Sequence, residues 1–435
     1  MPLIAKNEKG GRYLLMGNEA IARGALEAGV AVVAGYPGTP SSEIIENLAR
    51  VAKERDLYVE WSTNEKVAME VTAAGSFAEL RSLCILKQNG VNVASDFFLH
   101  LAGSGTRGGM VIIPCEDPGA LPSINEGDSR HFSRMLEIPL IEPGDFQEAK
   151  DMTKWAFELS EELRCPVMLR SVTRLSHARS NVVFGDLPEM NHQARFSIIS
   201  DEGFILDPDT GMAMLPTGFS TAKTMHAMGS GTGVASGFGQ LARFGMDQQV
   251  LSVCGDSTFF HAVMPALVNA VHHKSDITVI VLDNSGTAMT GFQSHPGLEI
   301  NAQGDEALKL DIRSICESMG AIVQETDPFD FEATQQALFE MLQIKSGVKV
   351  LILKQSCALS PEKKHTRRYE MSVAAHACLG ESCGCNRLCT RIFRCPGLVW
   401  DKSNGISKID EAICSGYGVC ESIYPVGAIE KREVA

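Results

Sequence analysis

The feature that most constrains the fold is a series of short apolar runs, each long enough for one buried strand, that alternate with helix-like segments. The runs are continuous rather than alternating in polarity, which is typical of parallel sheets that helices cover on both faces. We therefore predict an α/β fold with two doubly wound parallel sheets. The predicted strands are "VAVVAGY", "YVEWST", "LCILK", "MVIIPCE" and "CPVMLRS" in the first part, then "QVLSVCGD", "ITVIVLDN", "AIVQET" and "KVLILKQS".

Shifts in composition divide the 435 residues into three predicted domains. A polar stretch rich in Asn and Pro, near residues 178 to 193, separates the two sheets. A basic run, "SCALSPEKKHTRRYE", precedes a small cysteine-rich tail. The predicted domains are residues 1–180, 194–357 and 372–435.

Charge and cysteine usage narrow the classes of function. The net charge of −14 argues against nonspecific binding to nucleic acid or to anionic lipid. No apolar run approaches the roughly 20 residues that span a bilayer, and the first residues lack an apolar signal core, so we expect a cytoplasmic protein without membrane partners. Seven of the 13 cysteines lie between Cys378 and Cys420, and in a cytosolic chain such clustering favours metal or iron–sulfur ligation over disulfides.

Two successive predicted strands of the second sheet end in polar residues. Asp256 follows "LSVCG" and Asn284 follows "ITVIVLD". Because the carboxyl ends of parallel strands lie at one edge of a sheet, both side chains can converge on one ion. Such oxygen donors suit Mg²⁺ together with the phosphates of a cofactor. The local alternative is a pair of strand-end turns with helix caps.

The whole pattern, Gly255-Asp256-Ser257, a helix, a strand and then Asp283-Asn284, resembles the thiamine-diphosphate-binding motif. The resemblance implies that Asp256, Asn284 and the backbone carbonyl of Gly286 hold the Mg²⁺ that binds the diphosphate. The motif usually has Gly at the third position and Asn at the position before the last. Neither difference removes a side chain that ligates the metal.

A glycine-rich run upstream, "HAMGSGTGVASGFGQ", extends this resemblance. It places Gly229 and Gly231 where a backbone must approach phosphate at a helix N-terminus. Alone, such a run is weak evidence.

The resemblance also requires a carboxyl group on the other sheet, which hydrogen-bonds the pyrimidine ring of the cofactor. Glu65 is in the expected place, because it follows the strand "YVEWST" and opens a helix with apolar residues at helical spacing. The local alternative is that Glu65 only complements the helix dipole in the first turn. The surrounding resemblance favours the catalytic role.

Most of the chain resembles the α subunits of indolepyruvate ferredoxin oxidoreductases, in the 2-oxoacid:ferredoxin oxidoreductase superfamily. The matching stretches include "LLMGNEAIARGALEAGV", "GYPGTPSSEI", "NEKVAMEV", "KQNGVNVASD" and "DPGALPSINEGDSRHFSR". The resemblance implies oxidative decarboxylation of a 2-oxoacid, such as indolepyruvate, to an acyl-coenzyme A, with electrons passing through iron–sulfur clusters to ferredoxin. It also implies a smaller γ-like subunit and a hetero-oligomer.

In such enzymes the segment that corresponds to residues 35–42 lines the substrate end of the cofactor. The resemblance therefore assigns Gly35, Pro37 and Thr39 to cofactor binding. From local sequence we also predict a helix start here, with Thr39 as N-cap and Pro40 at the first helical position.

The stretch "DSRHFSR" supplies two candidates for contact with the substrate. Arg130 or His131 is predicted near the substrate carboxylate. The alternative is that they form only a surface salt bridge.

The chain departs from the family between the two thiamine domains. The family's α subunits usually carry a transketolase C-terminal-like domain there, and a Cys-x-x-Cys segment at the start of the second domain. Here only a short join separates "VMLRSVTRLSH" from "FSIISDEGF". Substrate or coenzyme A contacts made by those parts are therefore not carried over.

The tail resembles a two-cluster ferredoxin, in which the fourth cysteine of each motif ligates the other cluster. In this crossed pattern, each of the two clusters keeps three cysteine ligands. A tyrosine stands at the fourth ligand position of each cluster. Cys378 could replace one missing ligand. We expect at least one [4Fe–4S] cluster. The predicted ligands are Cys383, Cys385 and Cys389 for one cluster, with Tyr424 at the fourth position, and Cys395, Cys414 and Cys420 for the other, with Tyr417 at the fourth position.

Two other functions stay open at this point. One is a non-oxidative thiamine-dependent decarboxylase or carboligase with a decayed tail. The other is a catalytically weakened subunit that serves in assembly or electron transfer. Intact Glu65, Asp256 and Asn284 argue against the second, whereas the two tyrosines argue for some loss of electron transfer.

Overall fold

The computed structural model describes residues 2–120, 125–196, 226–357, 360, 367–383, 387–393, 395–423 and 427–434. Within these residues, no helix is long and apolar enough to cross a bilayer. The described chain forms two parallel sheets with helices and a small tail.

The first parallel sheet has seven strands, all parallel, in the order β3-β2-β4-β5-β7-β6, with β8 paired to β5. A separate antiparallel pair, β1 and β9, lies beside it. The strands are β1 (Arg12–Met16), β2 (Val32–Gly35), β3 (Tyr58–Trp61), β4 (Ser82–Lys87), β5 (Met110–Glu116), β6 (Leu140–Ile141), β7 (Val167–Leu169), β8 (Ser171–Val172) and β9 (Arg179–Val183). The helices are α1 (Gly17–Glu27), α2 (Ser42–Val51), α3 (Glu65–Phe77), α4 (Gln88–Ser104), α5 (Arg130–Leu136), α6 (Phe146–Leu163) and α7 (Thr173–His177).

Helices cover both faces of this sheet, as the continuous apolar strands predict. One core contains buried residues of α1, α2 and α6, and the other contains buried residues of α3 and α4. The second core continues into the next domain, since it includes Val234 and Phe238 of a later helix.

The second parallel sheet has four strands in the order β10-β11-β13-β12. Its elements are α8 (Ser230–Phe238), β10 (Leu251–Gly255), α9 (Asp256–Thr258), a π-helical turn (Phe259–Val263), α10 (Met264–His272), β11 (Ile277–Asp283), α11 (Ile312–Met319), β12 (Ile322–Thr326), α12 (Phe331–Gln343) and β13 (Val348–Lys354).

The two sheet domains pack against each other through α3 and α8. Glycines of α8 allow the close approach, because a Cβ at Gly237 would lie 2.7 Å from the Cβ of Ala74. The turn before α3 also contacts α10: the Thr63 N–H donates to Asn269 Oδ1 at 2.9 Å, and Asn269 Nδ2 donates to Glu60 at 3.1 Å. The domain interface therefore lies beside the start of α3.

All nine predicted strands are observed, and all are parallel within the two sheets. The sequence analysis missed β1 and β9, which form a separate antiparallel pair and have only one buried residue each. Residues 179–183, which we predicted at the edge of the join, pair with β1 and so extend the first folded unit.

The tail consists of two antiparallel strand pairs, in which the first strand pairs with the last and the middle two pair with each other. Its elements are β14 (Tyr369–Val373), a 3₁₀ helix (Gly380–Cys383), a π-helical turn (Leu388–Ile392), β15 (Leu398–Asp401), β16 (Ile406–Ile409), α13 (Cys420–Ile423) and β17 (Ile429–Glu433).

Candidate active site

Glu65 begins α3 just after the carboxyl end of β3, as predicted. The preceding Asn64 caps the helix by accepting a hydrogen bond from the Val67 N–H at 2.8 Å. The half-buried Glu65 carboxylate lies against the first turn of α4, because a Cβ at Gly90 would lie 2.6 Å from Oε1 of Glu65. The N–H groups of that turn favour a negative charge at this position.

The loop after β2 lies at the same edge, since β2 is the neighbour of both β3 and β4. Gly35 is buried and its carbonyl accepts from the Ser62 N–H at 2.9 Å, whereas Pro37 and Thr39 are exposed. The Thr39 carbonyl accepts a hydrogen bond from Lys87 Nζ, which also pairs with a buried carboxylate. The loop is therefore attached to the end of β4.

The predicted N-cap at Thr39 was wrong, and so was the placement of Pro40 inside the helix. α2 begins at Ser42. The Gly38 carbonyl accepts hydrogen bonds from the N–H groups of both Ser41 and Ser42, at 2.8 and 3.1 Å. Because of this turn, α2 begins after Pro40 rather than at it.

The strand ends of the second sheet meet at Asp256, which is 2% exposed. Oδ1 accepts a hydrogen bond from the Ser257 N–H at 2.7 Å. Oδ2 accepts from the N–H groups of Asn284 and Gly286, at 3.1 and 3.3 Å. The predicted proximity of Asp256 and Asn284 is therefore confirmed, and backbone N–H groups hold the carboxylate in place.

The side chains at this edge fit a hard cation. Among the residues that the structure describes, Asn284 Oδ1 is buried and has no hydrogen-bond partner. It stands beside the buried Asp256 carboxylate, and a carboxylate with an amide oxygen is a donor set that Mg²⁺ prefers. The pKa of Asp283 is raised by its burial and then by the charge of Asp256. A cation would offset this accumulated negative charge and satisfy the unpaired oxygen.

The glycine-rich loop lies next to both halves of the site. Gly229 has a φ of +82° and precedes α8, and a Cβ there would lie 2.8 Å from that of Ala262. The Met228 carbonyl accepts from Lys66 Nζ at 3.3 Å, which links this loop to the residue after Glu65. By contrast, Gly231 and Gly255 have no neighbour closer than 4.0 Å to a Cβ. The structure thus shows a steric need for glycine at position 229 alone among the three.

Arg130 and His131 are both exposed. The Arg130 guanidinium forms a bidentate ion pair with Asp128, whose pKa it lowers. This contact agrees with the surface salt bridge that the sequence left as the alternative.

Two residues that the sequence analysis did not single out lie at these edges. His295 lies in the loop after β11, and its Nε2 is 3.2 Å from Asp256 Oδ2. No pattern in the sequence indicates that this loop returns to the sheet edge. Glu70 is buried on α3, and burial raises its pKa to about 8, against the opposing effects of Ser230 and Lys66. Its place on the apolar face of a predicted helix was a signal that could have been used.

The tail brings one predicted cysteine set together. The Tyr417 hydroxyl donates to Cys395 Sγ at 3.2 Å, and Cys414 and Cys420 lie near enough to raise the pKa of Tyr417 further, after burial and Cys395. The Tyr417 ring also stacks on Phe329 of the second sheet domain, with ring centroids 4.9 Å apart. Tyr417 therefore lies beside the three cysteines with which the sequence analysis grouped it.

The other predicted cysteine set is only partly described. Cys389 is buried, with Sγ 3.1 Å from Ser407 Oγ. Cys385 and Tyr424 lie outside the described residues, as does the side chain of Cys383. Within the described part of the chain, no three His, Cys, Asp or Glu side chains are arranged to hold a metal ion.

Two family models match the chain. Residues 23–198 match the thiamine-diphosphate-binding domain of pyruvate flavodoxin/ferredoxin oxidoreductases. Residues 209–352 match the C-terminal TPP-binding domain of thiamine pyrophosphate enzymes. The two matches correspond to the two sheet domains.

Curated relatives match over nearly the whole chain. The indolepyruvate oxidoreductase subunit IorA of Thermococcus kodakarensis is 28% identical, over 98% of this chain and 98% of the relative. The protein of the same name from Methanothermobacter thermautotrophicus is 28% identical, with the same coverage. A 2-oxoglutarate synthase subunit KorA from that organism is 27% identical over 47% of this chain and 56% of its own. The first alignment runs over 639 positions, more than the 435 residues here, so that relative has segments without a counterpart in this chain.

Solved structures show a likeness of fold. The thiamine diphosphate-dependent 4-hydroxybenzoylformate decarboxylase of Rhodococcus jostii superposes with a TM-score of 0.54 at 11% identity, over 79% of this chain and 99% of the other. The benzoylformate decarboxylase of Polynucleobacter necessarius gives 0.52 at 11% identity, over 78% and 98%.

Proposed function

We propose that this chain is the thiamine-binding subunit of a 2-oxoacid:ferredoxin oxidoreductase that oxidatively decarboxylates an arylpyruvate such as indolepyruvate. The proposal is supported by the match to a thiamine-diphosphate-binding domain of such oxidoreductases and by the relatives that match over nearly the whole chain. The single observation that carries this proposal is the pair of sheet edges, which present Glu65 on one side and Asp256 with Asn284 on the other. The substrate class is taken from the names of the relatives that match over most of the chain.

The proposed reaction has a defined balance of atoms and electrons. The bond between C1 and C2 of the 2-oxoacid breaks and releases CO₂, and C2 forms a thioester bond with coenzyme A, whose thiol proton is released. Two electrons leave the substrate and pass through iron–sulfur centres to ferredoxin. When bound, thiamine diphosphate supplies the electron-accepting ring that allows the C1–C2 bond to break.

The chain's own residues would prepare the site for this chemistry. Asp256 and Asn284 would hold Mg²⁺ through a buried carboxylate and a buried amide oxygen. The Glu65 carboxyl would hold a proton at the pyrimidine ring nitrogen, as the family resemblance implies. The contact of the Glu65 side chain with the first turn of α4 holds it against a rigid element.

The tail supports the electron-transfer part of the proposal. Its strand order, with outer strands paired and inner strands paired around two helical segments, agrees with a ferredoxin-like domain. The stacking of Tyr417 on Phe329 connects this domain to the second sheet domain. A smaller partner subunit, ferredoxin and coenzyme A complete the proposed system.

The test is an anaerobic assay of the chain with its co-purified partner. CO₂ release and reduction of a dye acceptor are measured with indolepyruvate, phenylpyruvate, pyruvate and 2-oxoglutarate, with and without coenzyme A. We expect acceptor reduction with an arylpyruvate, and at least about 100-fold slower turnover in Glu65→Gln, with thiamine diphosphate still bound. If the wild type instead contains no iron and converts the arylpyruvate to the aldehyde and CO₂ without reducing the dye, it is a non-oxidative decarboxylase.

A further inference from the structure

The His295 ring is buried at the edge of the second sheet where Asp256 and Asn284 meet, and the chemistry described so far does not use it. It lies in the loop after β11 and packs beside Phe260, with ring centroids 5.8 Å apart. Its side chain is 5% exposed, and Nε2 is 3.2 Å from Oδ2 of Asp256. The ring therefore borders the region where the Asn284 side-chain oxygen is left unpaired.

One hydrogen bond distinguishes the two nitrogens of the His295 ring. The backbone N–H of Gly297 donates to Nδ1 at 3.1 Å. Because Nδ1 accepts this hydrogen bond, Nε2 is the nitrogen of the ring that is left to donate one. The glycine is needed here, because a Cβ at Gly297 would lie 2.9 Å from the ring carbon Cε1.

This assignment makes Nε2 a hydrogen-bond donor and excludes it as a metal ligand. Among the described residues Nε2 has no hydrogen-bond partner, although Asp256 Oδ2 is close. That oxygen already accepts two backbone N–H groups, from Asn284 and Gly286. A buried donor without an acceptor is unfavourable, so it indicates an acceptor supplied from outside the chain.

The chemistry of the surroundings indicates what kind of acceptor this is. The oxygens of Asp256 and Asn284 fit a cation such as Mg²⁺. With only these two side chains as ligands, such a cation could also bind an anionic ligand. An N–H donor beside the residues that would hold the cation is suited to an anionic oxygen of the same ligand.

We propose that His295 Nε2–H donates a hydrogen bond to a diphosphate oxygen of thiamine diphosphate, so that this imidazole is a third cofactor-binding side chain at the metal edge. This inference rests on the proposed function, because it takes thiamine diphosphate as the ligand. It assigns His295 to binding of the phosphate group rather than to proton transfer at the substrate.

The first test is calorimetry of the wild type and of His295→Ala with thiamine diphosphate and Mg²⁺, and separately with inorganic pyrophosphate and Mg²⁺. A charge-assisted hydrogen bond predicts that His295→Ala weakens both ligands by about 10- to 100-fold. His295→Gln, which can offer an N–H at a similar reach, should recover most of the affinity. His376→Ala, at an exposed histidine of the tail, is the matched control and should bind as the wild type does.

The second test is measured on the wild type. ¹⁵N NMR of histidine-labelled wild type should show a ring that carries a proton at Nε2 and none at Nδ1, whose resonance shifts when thiamine diphosphate and Mg²⁺ are added. His295→Gln identifies the resonance by its absence.

Three outcomes would overturn the proposal: wild-type affinity in His295→Ala, weakening for thiamine diphosphate but not for pyrophosphate, or a ring protonated at Nδ1. These outcomes leave the proposed function standing as long as the wild type binds the cofactor. If the wild type binds no thiamine diphosphate in the presence of Mg²⁺, the proposed function and this inference both fail.

Discussion

In the second sheet domain, backbone N–H groups of three residues hold Asp256 at the end of its strand, whereas in the tail Cys395 is contacted by the hydroxyl of Tyr417. The first arrangement consists of backbone N–H groups just beyond the carboxyl ends of two neighbouring parallel strands. The second places thiols and a phenol close together, but the described side chains do not form a metal-binding group.

The difference shows how two kinds of site depend on the fold. Parallel strands share one carboxyl edge, so the backbone N–H groups that follow one strand can hold the polar side chain that follows its neighbour. Cysteines on short helical turns and loops have no such shared edge, and binding of a metal centre is coupled to ordering of its ligands. We therefore expect the sheet-edge site to respond to single substitutions as a preformed site, and the tail to respond through its cluster content.

The largest expected effect concerns the preformed site. Asp256→Ala should weaken Mg²⁺-dependent binding of thiamine diphosphate by at least about 100-fold, because it removes the charged ligand of the metal. Calorimetry with thiamine diphosphate at saturating Mg²⁺ measures this. Cys395→Ser is the matched substitution in the tail and should leave cofactor affinity unchanged. Equal losses in both variants would contradict the separation of the two regions.

An intermediate effect is expected in the tail. Tyr417→Cys completes a four-cysteine set with Cys395, Cys414 and Cys420, so anaerobically reconstituted protein should gain about one or more iron atoms per chain. Iron and sulfide analysis, with EPR of the reduced protein, measures the gain. Tyr417→Phe keeps the ring that stacks on Phe329 and should show no gain. Unchanged iron content in Tyr417→Cys would show that position 417 is not a ligand position of the cluster.

The smallest expected effect lies at the interface that joins the two sheet domains. The pKa of Glu70 is about 8 in the folded chain and near 4.5 for an exposed carboxyl, so between these values the folded state holds a proton that the unfolded state has lost. The free energy of unfolding therefore falls as the pH rises through this window. Its slope is a fraction of the about 1.4 kcal/mol per pH unit that a difference of one full proton gives. Glu70→Gln should remove this fall.

Thermal midpoints of the wild type and Glu70→Gln between pH 5 and 8 measure this difference. Glu162→Gln, on the exposed face of α6, is the control and should follow the wild type. A Glu70→Gln profile parallel to that of the wild type would show that Glu70 is not buried as a neutral acid.

Sequence reasoning was most successful where structure follows from chain periodicity. The continuous apolar runs predicted every long strand of both parallel sheets, and their parallel order then predicted that Asp256 and Asn284 meet. Glu65 was found for the same reason, because a strand-to-helix turn leaves a plain signal in the polarity pattern. The functional roles of these residues stay predictions.

The sequence was least informative where long loops return to the site. His295 reaches Asp256 through a loop whose path no short-range pattern encodes. The N-cap at Thr39 was wrong because a local turn at Gly38 competes with the helix, and both starts use the same residue types. Arg130 has the right charge to bind a substrate carboxylate. In the structure its guanidinium instead forms an ion pair with Asp128, two residues away.

The contact between Glu70 and Gly233 restricts the order in which this chain can acquire substitutions. A Cβ at Gly233 would lie 1.7 Å from Oε2 of Glu70, so Gly233→Ala requires that buried carboxyl to move. Replacement of Glu70 by a smaller residue first would leave space that an alanine at the other position could fill. The two positions, distant in sequence and in different domains, are therefore expected to vary together among descendants, with the change at Glu70 coming first.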